Sequence, residues 1–272
     1  MVRLSSRWCS RFPGFSGQVR QGQGMLDVRD LHKRFGAVKA LDGLSLQLQP
    51  GRIHALVGPN GCGKTTLLNL ISGFYAADQG QILLMEKPPV AIDHLPPSAR
   101  ARLGIGRMFQ EPRGIPEFTV SKHVTLCTLG AGSDSVLHAG LRSFRLDGHS
   151  VNVKELMELG GLQPAAHCLV CSLSYGQRRV LDCCCLMVKQ ARLPLLDEPF
   201  AGVDPVNLQI LASLIKRQAR QEHAAVLLVS HEIPSVVEMA DEVILMDAGR
   251  VVMRGLPTEV VRSESFKLVY LT

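Results

Sequence analysis

The chain has 272 residues, of which 46% are hydrophobic and 20% are charged, which is enough apolar material to bury a sizeable core. The net charge is +6, but four of those charges are arginines in residues 1–24, so the rest of the chain carries only +2. That near-neutral body argues against a nucleic-acid-binding protein. No apolar run approaches the roughly 18 residues that a membrane-spanning helix needs.

Short apolar runs alternate with amphipathic segments along the chain, a pattern typical of a mainly parallel β-sheet with crossing helices. The predicted strands lie near 53–57, 81–85, 193–197, 225–230 and 242–247. The predicted helices lie at 64–72, 205–221 and 232–239. We therefore predict an α/β fold with one core.

The middle of the chain breaks this alternation. It contains short amphipathic pieces, of which residues 151–159 are the clearest, joined by Gly-rich and polar links at 130–135 and 147–150. We therefore expect a helical lobe, at about residues 111–190, inserted into the core.

A phosphate-binding-loop pattern, GPNGCGKTT, occupies residues 58–66. It follows the apolar run 53–57 and precedes an apolar-periodic segment, so its context is strand, loop, helix. Its glycines let the backbone approach a polyphosphate closely, Lys64 is placed to reach the outer phosphates, and Thr65 to ligate Mg²⁺. The alternative is a glycine-rich turn that binds nothing. The residues predicted to bind nucleotide here are Gly58, Pro59, Asn60, Gly61, Cys62, Gly63, Lys64, Thr65 and Thr66.

Two adjacent carboxylates, in LLDEP at 195–199, follow a second apolar run. Ligands of open α/β sheets bind at the carboxyl ends of strands, and neighbouring strand residues point to opposite faces. We therefore assign Asp197 to Mg²⁺ and Glu198 to the attacking water; the alternative is an exposed Asp-Glu-Pro turn. Pro194 lies inside the run and lacks a ladder donor, so we expect the strand to begin late or to stay unpaired there.

The segment LSYGQ at 173–177 resembles the signature of the ATP-binding cassette (ABC) family, and the chain resembles that family along nearly all of residues 25–272. MFQ, which ends at Gln110, resembles the glutamine loop. AGVD at 201–204 resembles the loop after the acidic pair, and LVSHE, which contains His231, resembles the switch segment. The resemblance implies a P-loop NTPase core with a mainly parallel sheet, ABC-type antiparallel β elements and an inserted helical lobe.

The resemblance also implies roles for individual residues. ATP and Mg²⁺ would be the cofactors, and Gln110 would join Thr65 and Asp197 at the metal. His231 would sense the γ-phosphate and act with Glu198 in catalysis; the alternative is a satisfied histidine of the core.

Further implied contacts involve the base and a second subunit. Phe35 falls where family members stack an aromatic ring on adenine. Ser174, Gly176 and Gln177 of the signature would complete the nucleotide site of the opposite subunit. Hydrolysis would then require a dimer.

Several segments resemble one branch of the family, the ATP-binding subunits of branched-chain amino acid importers. They are Tyr175 and the segments ISGFY at 71–75, ARLGIGRMFQ at 101–110 and VYLT at 269–272. The ARLGIGR segment is also similar to urea importers. LDEPFAGVDP at 196–205 and the FKLVYL tail resemble instead the lipopolysaccharide-export ATPase.

We therefore expect an ATPase that powers import of branched-chain amino acids or urea. The implied partners are integral membrane permease subunits, a second ATP-binding subunit of the same or another kind, and a solute-binding protein, but no nucleic acid. The implied location is peripheral, at the cytoplasmic face of the inner (plasma) membrane. The alternatives are a lipopolysaccharide-export-type ATPase and, because of Pro194, a non-hydrolysing ATP-binding scaffold.

Residues 1–24 are rich in arginine, serine and glycine and contain no acid. Such a composition fits a targeting peptide, although the segment lacks the apolar stretch of a secretory signal. Because the family-like sequence begins near Met25, an upstream extension of the reading frame explains it better. We predict a disordered extension at 1–24, followed by a nucleotide-binding domain at 25–272.

The eight cysteines include two groups. Cys168 and Cys171 form a CxxC pair, without a second pair at metal-ligand spacing. Cys183, Cys184 and Cys185 are consecutive on a helix, where side chains about 100° apart cannot converge on one metal ion. We interpret the cysteines as buried small hydrophobic residues, and free thiols in such number fit a reducing cytosol.

Overall fold

The structure, a computed structural model, describes residues 24–128 and 153–271. The predicted N-terminal extension, apart from Gly24, and the predicted links at 130–135 and 147–150 lie outside the described residues. The domain boundaries therefore stay predictions.

One sheet of the described residues is entirely antiparallel. Its strands are β1 (Leu26–Phe35), β2 (Val38–Leu48), β4 (Gln79–Leu84) and β5 (Val90–Ala91). They are arranged in the order β2-β1-β4-β5, with every neighbouring pair antiparallel.

A second sheet contains six strands. They are β3 (Ile53–Val57), β6 (Ile105–Met108), β7 (Leu193–Asp197), β8 (Val226–Val229), β9 (Glu242–Asp247) and β10 (Arg250–Gly255). The order is β10-β9-β3-β8-β7-β6. All neighbours from β9 to β6 run parallel, and β10 pairs antiparallel with β9. The predicted α/β fold, with a mainly parallel sheet and separate antiparallel elements, is confirmed.

Helices connect these strands. They are α1 (Lys64–Ser72), α2 (Pro97–Arg102), α3 (Val120–Thr128), α4 (Val153–Leu159), α5 (Tyr175–Val188), α6 (Pro205–Arg220), α7 (Ile233–Met239), α8 (Pro257–Arg262) and α9 (Glu264–Leu271). Three of them, α3, α4 and α5, lie between β6 and β7, where the helical lobe was expected. No helix within 24–128 or 153–271 is long and apolar enough to cross a membrane.

The parallel sheet is covered on both faces. Leu195 and Leu227 belong to the apolar cluster that contains α1 and the antiparallel sheet. Their neighbours Leu196 and Leu228 belong to the opposite cluster, which contains α5 and α6. Because successive strand residues alternate between faces, both faces are apolar, as buried parallel strands require.

Most predicted elements of the core match the structure within two residues. The strands at 53–57, 193–197 and 242–247 and the helix at 64–72 agree at both ends. Strand β6 was not predicted, because its short sequence IGRM contains a glycine and an arginine, which weaken an apolar strand pattern.

The expectation for Pro194 is confirmed on the β8 side of β7 and wrong on the β6 side. It lies in β7 opposite Gly106 of β6, whereas the register of β7 with β8 begins only at Leu195. The missing N–H group therefore does not interrupt the ladder between β7 and β8. Strand β7 keeps its acidic pair at the carboxyl end of the sheet.

The interpretation of the cysteines is confirmed for one group and wrong for the other. Cys183, Cys184 and Cys185 are buried on α5, whereas Cys168 and Cys171 are exposed. Cys171 lies within a short 3₁₀ turn at Val170–Ser172, ahead of α5, and Cys168 lies two residues before that turn.

Candidate active site

The predicted polar residues gather at the carboxyl ends of four parallel strands. The loop 58–63 follows β3, and Gln110 follows β6. Asp197 ends β7, Glu198 comes directly after it, and His231 follows β8. In a parallel sheet these ends meet at one edge, where open α/β folds bind their ligands. The structure therefore brings the loop, Gln110, the acidic pair and His231 together at one edge.

Two glycines of the phosphate loop are required by packing. A Cβ atom at Gly58 would lie 2.1 Å from the carbonyl oxygen of Met246, and one at Gly63 would lie 2.4 Å from that of Ala40. Gly61 differs, because it has φ 81° and no atom within 4 Å of its Cβ position. The sequence predicted that all three glycines let the backbone come close to a phosphate group. Of the three, only Gly61 has open space at its Cβ position.

Lys64 holds its ammonium group inside the loop. Its Nζ atom donates to the carbonyl oxygens of Gly58 and Pro59, both at 2.8 Å, and lies 3.8 Å from the Cys62 sulfur. Burial raises the pKa of the Cys62 thiol, which keeps it protonated beside the lysine. The positive charge is thus fixed at the start of α1, where the helix dipole also favours an anion. These residues fit a polyphosphate.

Asp197 already has a cationic partner. Its carboxylate accepts a hydrogen bond from Arg107 Nη2 at 2.8 Å, and both side chains are buried. Arg107 Nη1 also donates to Ser72 Oγ at 3.2 Å. The sequence argument treated Arg107 only as part of a family-like segment, because a pairing across 90 residues leaves no local pattern. A metal ion at Asp197 would share that carboxylate with a guanidinium group.

Glu198 and His231, the predicted catalytic pair, lie against each other. The His231 amide donates to Glu198 Oε2 at 3.2 Å, and His231 Nε2 lies 3.2 Å from Glu198 Oε1. That contact is not aligned as a hydrogen bond, so Oε1 is a buried oxygen without a hydrogen-bond partner among the described residues. Burial is the largest effect on this carboxyl group and raises its pKa, while the nearby His231 opposes the shift. The unsatisfied oxygen is a fitting acceptor for a water molecule.

A fully buried arginine, missed by the sequence argument, ties the site together. Arg179 of α5 donates from its guanidinium group only to backbone carbonyl oxygens. Those oxygens belong to Phe109, Gln110, Asp197, Glu198 and Pro199. Five fixed donors from one planar group lock the glutamine loop to the acidic pair. The signal available in the sequence was an arginine immediately before the apolar stretch 180–188 that follows the signature.

The signature forms the start of α5 in an unexpected way. Ser174 is the N-cap, its Oγ atom accepts from the Gln177 amide at 3.2 Å, and the Ser174 amide donates to Gln177 Oε1 at 3.0 Å. This is a capping box. The Gln177 amide is therefore already satisfied in this structure and is not free to receive a phosphate group. A Cβ atom at Gly176 would lie 2.5 Å from Asp204 Oδ2, so Gly176 is required by close approach of α6.

The remaining predicted contacts are exposed. Phe35 is 43% exposed at the end of β1 and makes an edge contact with the ring of Tyr75, with centroids 5.3 Å apart. Thr65 is exposed in the first turn of α1, whereas Thr66 is half-buried. Gln110 is exposed too, and its backbone carbonyl, not its side chain, is the group held by Arg179. Their roles toward adenine and Mg²⁺ stay predictions.

The C-terminal helix reaches the phosphate loop. Tyr270 of α9 accepts a hydrogen bond through its hydroxyl oxygen from the Gly58 amide at 2.9 Å. Its ring stacks on Phe266, with centroids 4.5 Å apart. The sequence argument used this tail only as a family resemblance, since nothing local links residues 212 positions apart.

Comparisons with known proteins agree with this geometry. The family model described as ABC transporter matches residues 41–201. The branched-chain amino acid transport ATP-binding proteins LivG of Archaeoglobus fulgidus and of Escherichia coli are 30% and 31% identical, over 91% and 92% of this chain and 95% and 98% of their own lengths. A sulfate/thiosulfate import ATP-binding protein, CysA of Bordetella parapertussis, is 35% identical over 90% of this chain. This chain spans 66% of the length of that relative.

Solved structures share the fold. An ATP-binding cassette of an ABC transporter superposes with a TM-score of 0.76 at 24% identity, covering 92% of this chain and 99% of that one. CbiO1 of Clostridium perfringens, part of the cbiONQ ABC transporter complex, has a TM-score of 0.73 at 24% identity and covers 92% and 95%. With the family match and the full-length relatives, these likenesses lead to one assignment. The chain belongs to the ABC transporter family.

Proposed function

We propose that this protein binds and hydrolyses ATP to power import of branched-chain amino acids through separate membrane permease subunits. The observation that carries the proposal is the juxtaposition of Glu198 and His231 at the sheet edge that also holds Lys64. The carboxylate has one buried oxygen without a hydrogen-bond partner among the described residues, and the nearby Lys64 ammonium group is placed for phosphate. A binding scaffold would not need the acidic group in that position.

Each residue of the proposed site has a distinct task. The amides of residues 58–66 and Lys64 would hold the phosphates, and Glu198 would take up the proton of the attacking water. Mg²⁺, when bound, would neutralise charge that develops on the transferred phosphoryl group. Thr65, Gln110 and Asp197 would hold it, and the separation of Asp197 from Arg107 would be part of binding. His231 would report the state of the outer phosphate through its contact with Glu198.

Each complete site would need residues from two copies of the chain. The signature residues Ser174 and Gly176 lie at the amino end of α5, and Ser174 is exposed. A phosphate group from a second subunit could take over the bond that Ser174 Oγ now makes to the Gln177 amide. That exchange fits an arrangement in which the helix start is closed until the two subunits meet.

The substrate class rests on the relatives. The LivG proteins, named for branched-chain amino acid transport, match this chain along nearly their whole lengths. Sulfate import is the second candidate, because the CysA proteins have the higher identity although they are longer than this chain. Urea import rests on the ARLGIGR resemblance alone. A solute-binding protein and attachment to the cytoplasmic membrane face belong to the same proposal.

Substitution Glu198→Gln tests the hydrolytic part. It keeps size and hydrogen bonding but removes the basic oxygen, so ATP should still bind while turnover falls by roughly a hundredfold or more. The measurement is phosphate release by the purified protein with its permease partners, together with ATP affinity by calorimetry. Glu259→Gln, an exposed change on α8, should leave both values unchanged.

Equal turnover in wild type and the Glu198→Gln protein would contradict this assignment. The substrate part is tested separately in cells that lack the gene and carry either the wild-type or the Lys64→Ala chain. Labelled leucine, sulfate and urea are offered in turn. Leucine uptake that depends on the wild-type chain supports the proposal, whereas dependence of sulfate or urea uptake alone replaces the substrate class and leaves the ATPase assignment intact.

A further inference from the structure

A cluster of one histidine and two cysteines lies in the helical lobe, away from the nucleotide site. His123 and Cys127 are four residues apart on α3, so their side chains lie on one face of that helix. Cys185 approaches them from α5, the helix that begins at the signature. The imidazole nitrogen and the two sulfur atoms all lie within 4.8 Å of one another.

The donor set has the chemistry of a metal site. Two thiol sulfurs and one imidazole nitrogen are the ligands that Zn²⁺ prefers in proteins. In tetrahedral zinc sites, with bonds of about 2.0–2.3 Å, ligand atoms lie about 3.5–3.8 Å apart. The observed spacing exceeds that value by about 1 Å at most, which rotation about the side-chain bonds can close.

We propose that His123, Cys127 and Cys185 bind one Zn²⁺ ion that fastens α3 to the signature helix. Three protein ligands leave a fourth coordination position for a water molecule. Water can reach it on the side of Cys127, because Cys127 is only half-buried whereas the other two ligands are buried. The ion would join two helices of the lobe at the end of α5 opposite to Ser174.

The imidazole of His123 is buried beside the two thiols. The described hydrogen bond of that ring is a contact of 3.5 Å from the Ile115 amide, which is at the limit of hydrogen-bond distance and costs little to give up.

Two charged groups of opposite sign lie near the cluster. Lys189 lies near His123 and Cys127 and favours a thiolate, although it opposes a cation, while Asp182 lies near both cysteines and favours a cation. These charges have opposite sign, so neither excludes the ion.

The sequence interpretation of the cysteines explains why this cluster was overlooked. Consecutive cysteines diverge around α5, and the structure shows where two of them point: Cys184 lies 3.7 Å from the Leu156 carbonyl oxygen, whereas Cys185 faces α3. The missing ligands were 58 and 62 positions upstream, in the pattern HxxxC, which carries no weight alone.

The test uses the full-length chain with Cys168→Ser and Cys171→Ser as background, because that exposed pair could bind zinc by itself. The protein is loaded with Zn²⁺, dialysed against a weak chelator, and its metal content is measured. One zinc ion per chain is expected. Added Co²⁺ should give the absorption of thiolate-bound cobalt.

Substituting a ligand in that background should weaken zinc binding by roughly tenfold or more, as measured by chelator competition. The three variants are Cys127→Ser, Cys185→Ser and His123→Ala. Cys184→Ser is the matched control, since it removes a thiol from the same helix but from another face, and it should keep the metal. Circular dichroism identifies a variant that fails to fold.

The unsubstituted ligands give a readout that does not depend on folding of a variant. Bound Zn²⁺ should protect Cys127 from a thiol reagent, and the chelator should restore its reactivity. No retained zinc, equal retention in Cys127→Ser, or a disulfide between Cys127 and Cys185 in place of the ion would each overturn the proposal.

Discussion

Lys64 serves two purposes in this structure. Its ammonium group satisfies the carbonyl oxygens of Gly58 and Pro59, so the loop is held in shape by the same charge that is predicted to face the phosphates. An anion would therefore meet a preformed cationic loop and would not need to order a flexible lysine first. This preorganisation lowers the entropy lost on binding.

Substitution Lys64→Ala should abolish measurable ATP binding. It removes both the charge and the two hydrogen bonds that shape the loop, and each such bond to a charged group contributes about 1.5–3 kcal/mol. Calorimetric titration with Mg-ATP checks this outcome. Lys216→Ala is a suitable control, because Lys216 of α6 pairs with Glu238 of α7. Unchanged affinity in the Lys64→Ala protein would remove the phosphate-loop assignment.

Residue types at this edge could be predicted from the sequence, but their partners could not. The loop, the acidic pair and His231 each carry a local pattern, and strand ends bring them together whatever the details. Arg107 and Arg179 act through bonds to residues about 20 to 90 positions away, and isolated arginines give no such signal. The capping box at Ser174 could have been predicted, because a serine followed by a glutamine three residues later is the capping-box pattern. Both residues were predicted to bind phosphate instead.

Helix α9 is linked to the phosphate loop by one hydrogen bond. The hydroxyl of Tyr270 accepts from the Gly58 amide, and its ring is fixed by stacking on Phe266. The helix belongs to an apolar cluster with Val57, the residue that precedes the loop. The position of the loop therefore depends on the docking of a terminal helix.

Substitution Tyr270→Phe should loosen that link without removing the ring. Loss of one neutral hydrogen bond should lower the free energy of unfolding by about 1 kcal/mol, and ATP affinity should fall up to tenfold because the loop must be ordered on binding. Amide hydrogen exchange at Gly58 should accelerate. An unaltered exchange rate together with unaltered affinity would contradict this role of α9.

Strands β3 and β9 are joined by a polar pair. His54 Nε2 accepts from the Gln49 amide at 2.9 Å, so its Nδ1 atom donates to Glu242 Oε2, also at 2.9 Å. Arg254 contacts both oxygens of the same carboxylate. The hydrogen bond from His54 is the largest of the effects that lower the pKa of Glu242 to about 2, with Arg254 adding to it.

That carboxylate should make stability depend on acidic pH. Its pKa is lower in the folded protein than the ordinary value of 4.5, so its contribution is complete above that value and is lost as the pH falls toward about 2. Glu242→Gln should lower the free energy of unfolding by about 1–2 kcal/mol at pH 7 and by less at pH 3. Urea unfolding at both values checks this, with Glu264→Gln as an exposed control. A penalty that is equal at pH 7 and pH 3 would contradict it.

At the scale of the whole molecule, the phosphate loop and the signature lie on different elements. Lys64 of the loop is buried, whereas Ser174 of the signature is exposed. The phosphate loop is formed between β3 and α1, and the signature caps α5, whose first turn already satisfies one of its own amides. A single chain that closed both on one nucleotide would need to break this capping box by itself. Two chains facing each other could supply the displacing phosphate from outside.

The last prediction distinguishes these arrangements by substituting Ser174→Asp. Aspartate preserves the helix cap, since its carboxylate can accept from the Gln177 amide, but it repels a phosphate group. If the signature serves a partner's site, the isolated variant should bind ATP with nearly wild-type affinity and should lose hydrolysis, while Ser174→Thr keeps both. If one chain uses both elements, ATP affinity of Ser174→Asp should fall as severely as that of Lys64→Ala.

Mixing the two inactive chains, Ser174→Asp and Lys64→Ala, provides the decisive measurement. In a mixed dimer one interface pairs an intact loop with an intact signature, and the other pairs two damaged elements. A two-fold dimer forms two equivalent sites, each from the loop of one chain and the signature of the other. Phosphate release should therefore reappear, with at most one competent site per mixed dimer. Complete inactivity of the mixture, in the presence of confirmed mixed dimers, would exclude a site shared between two subunits.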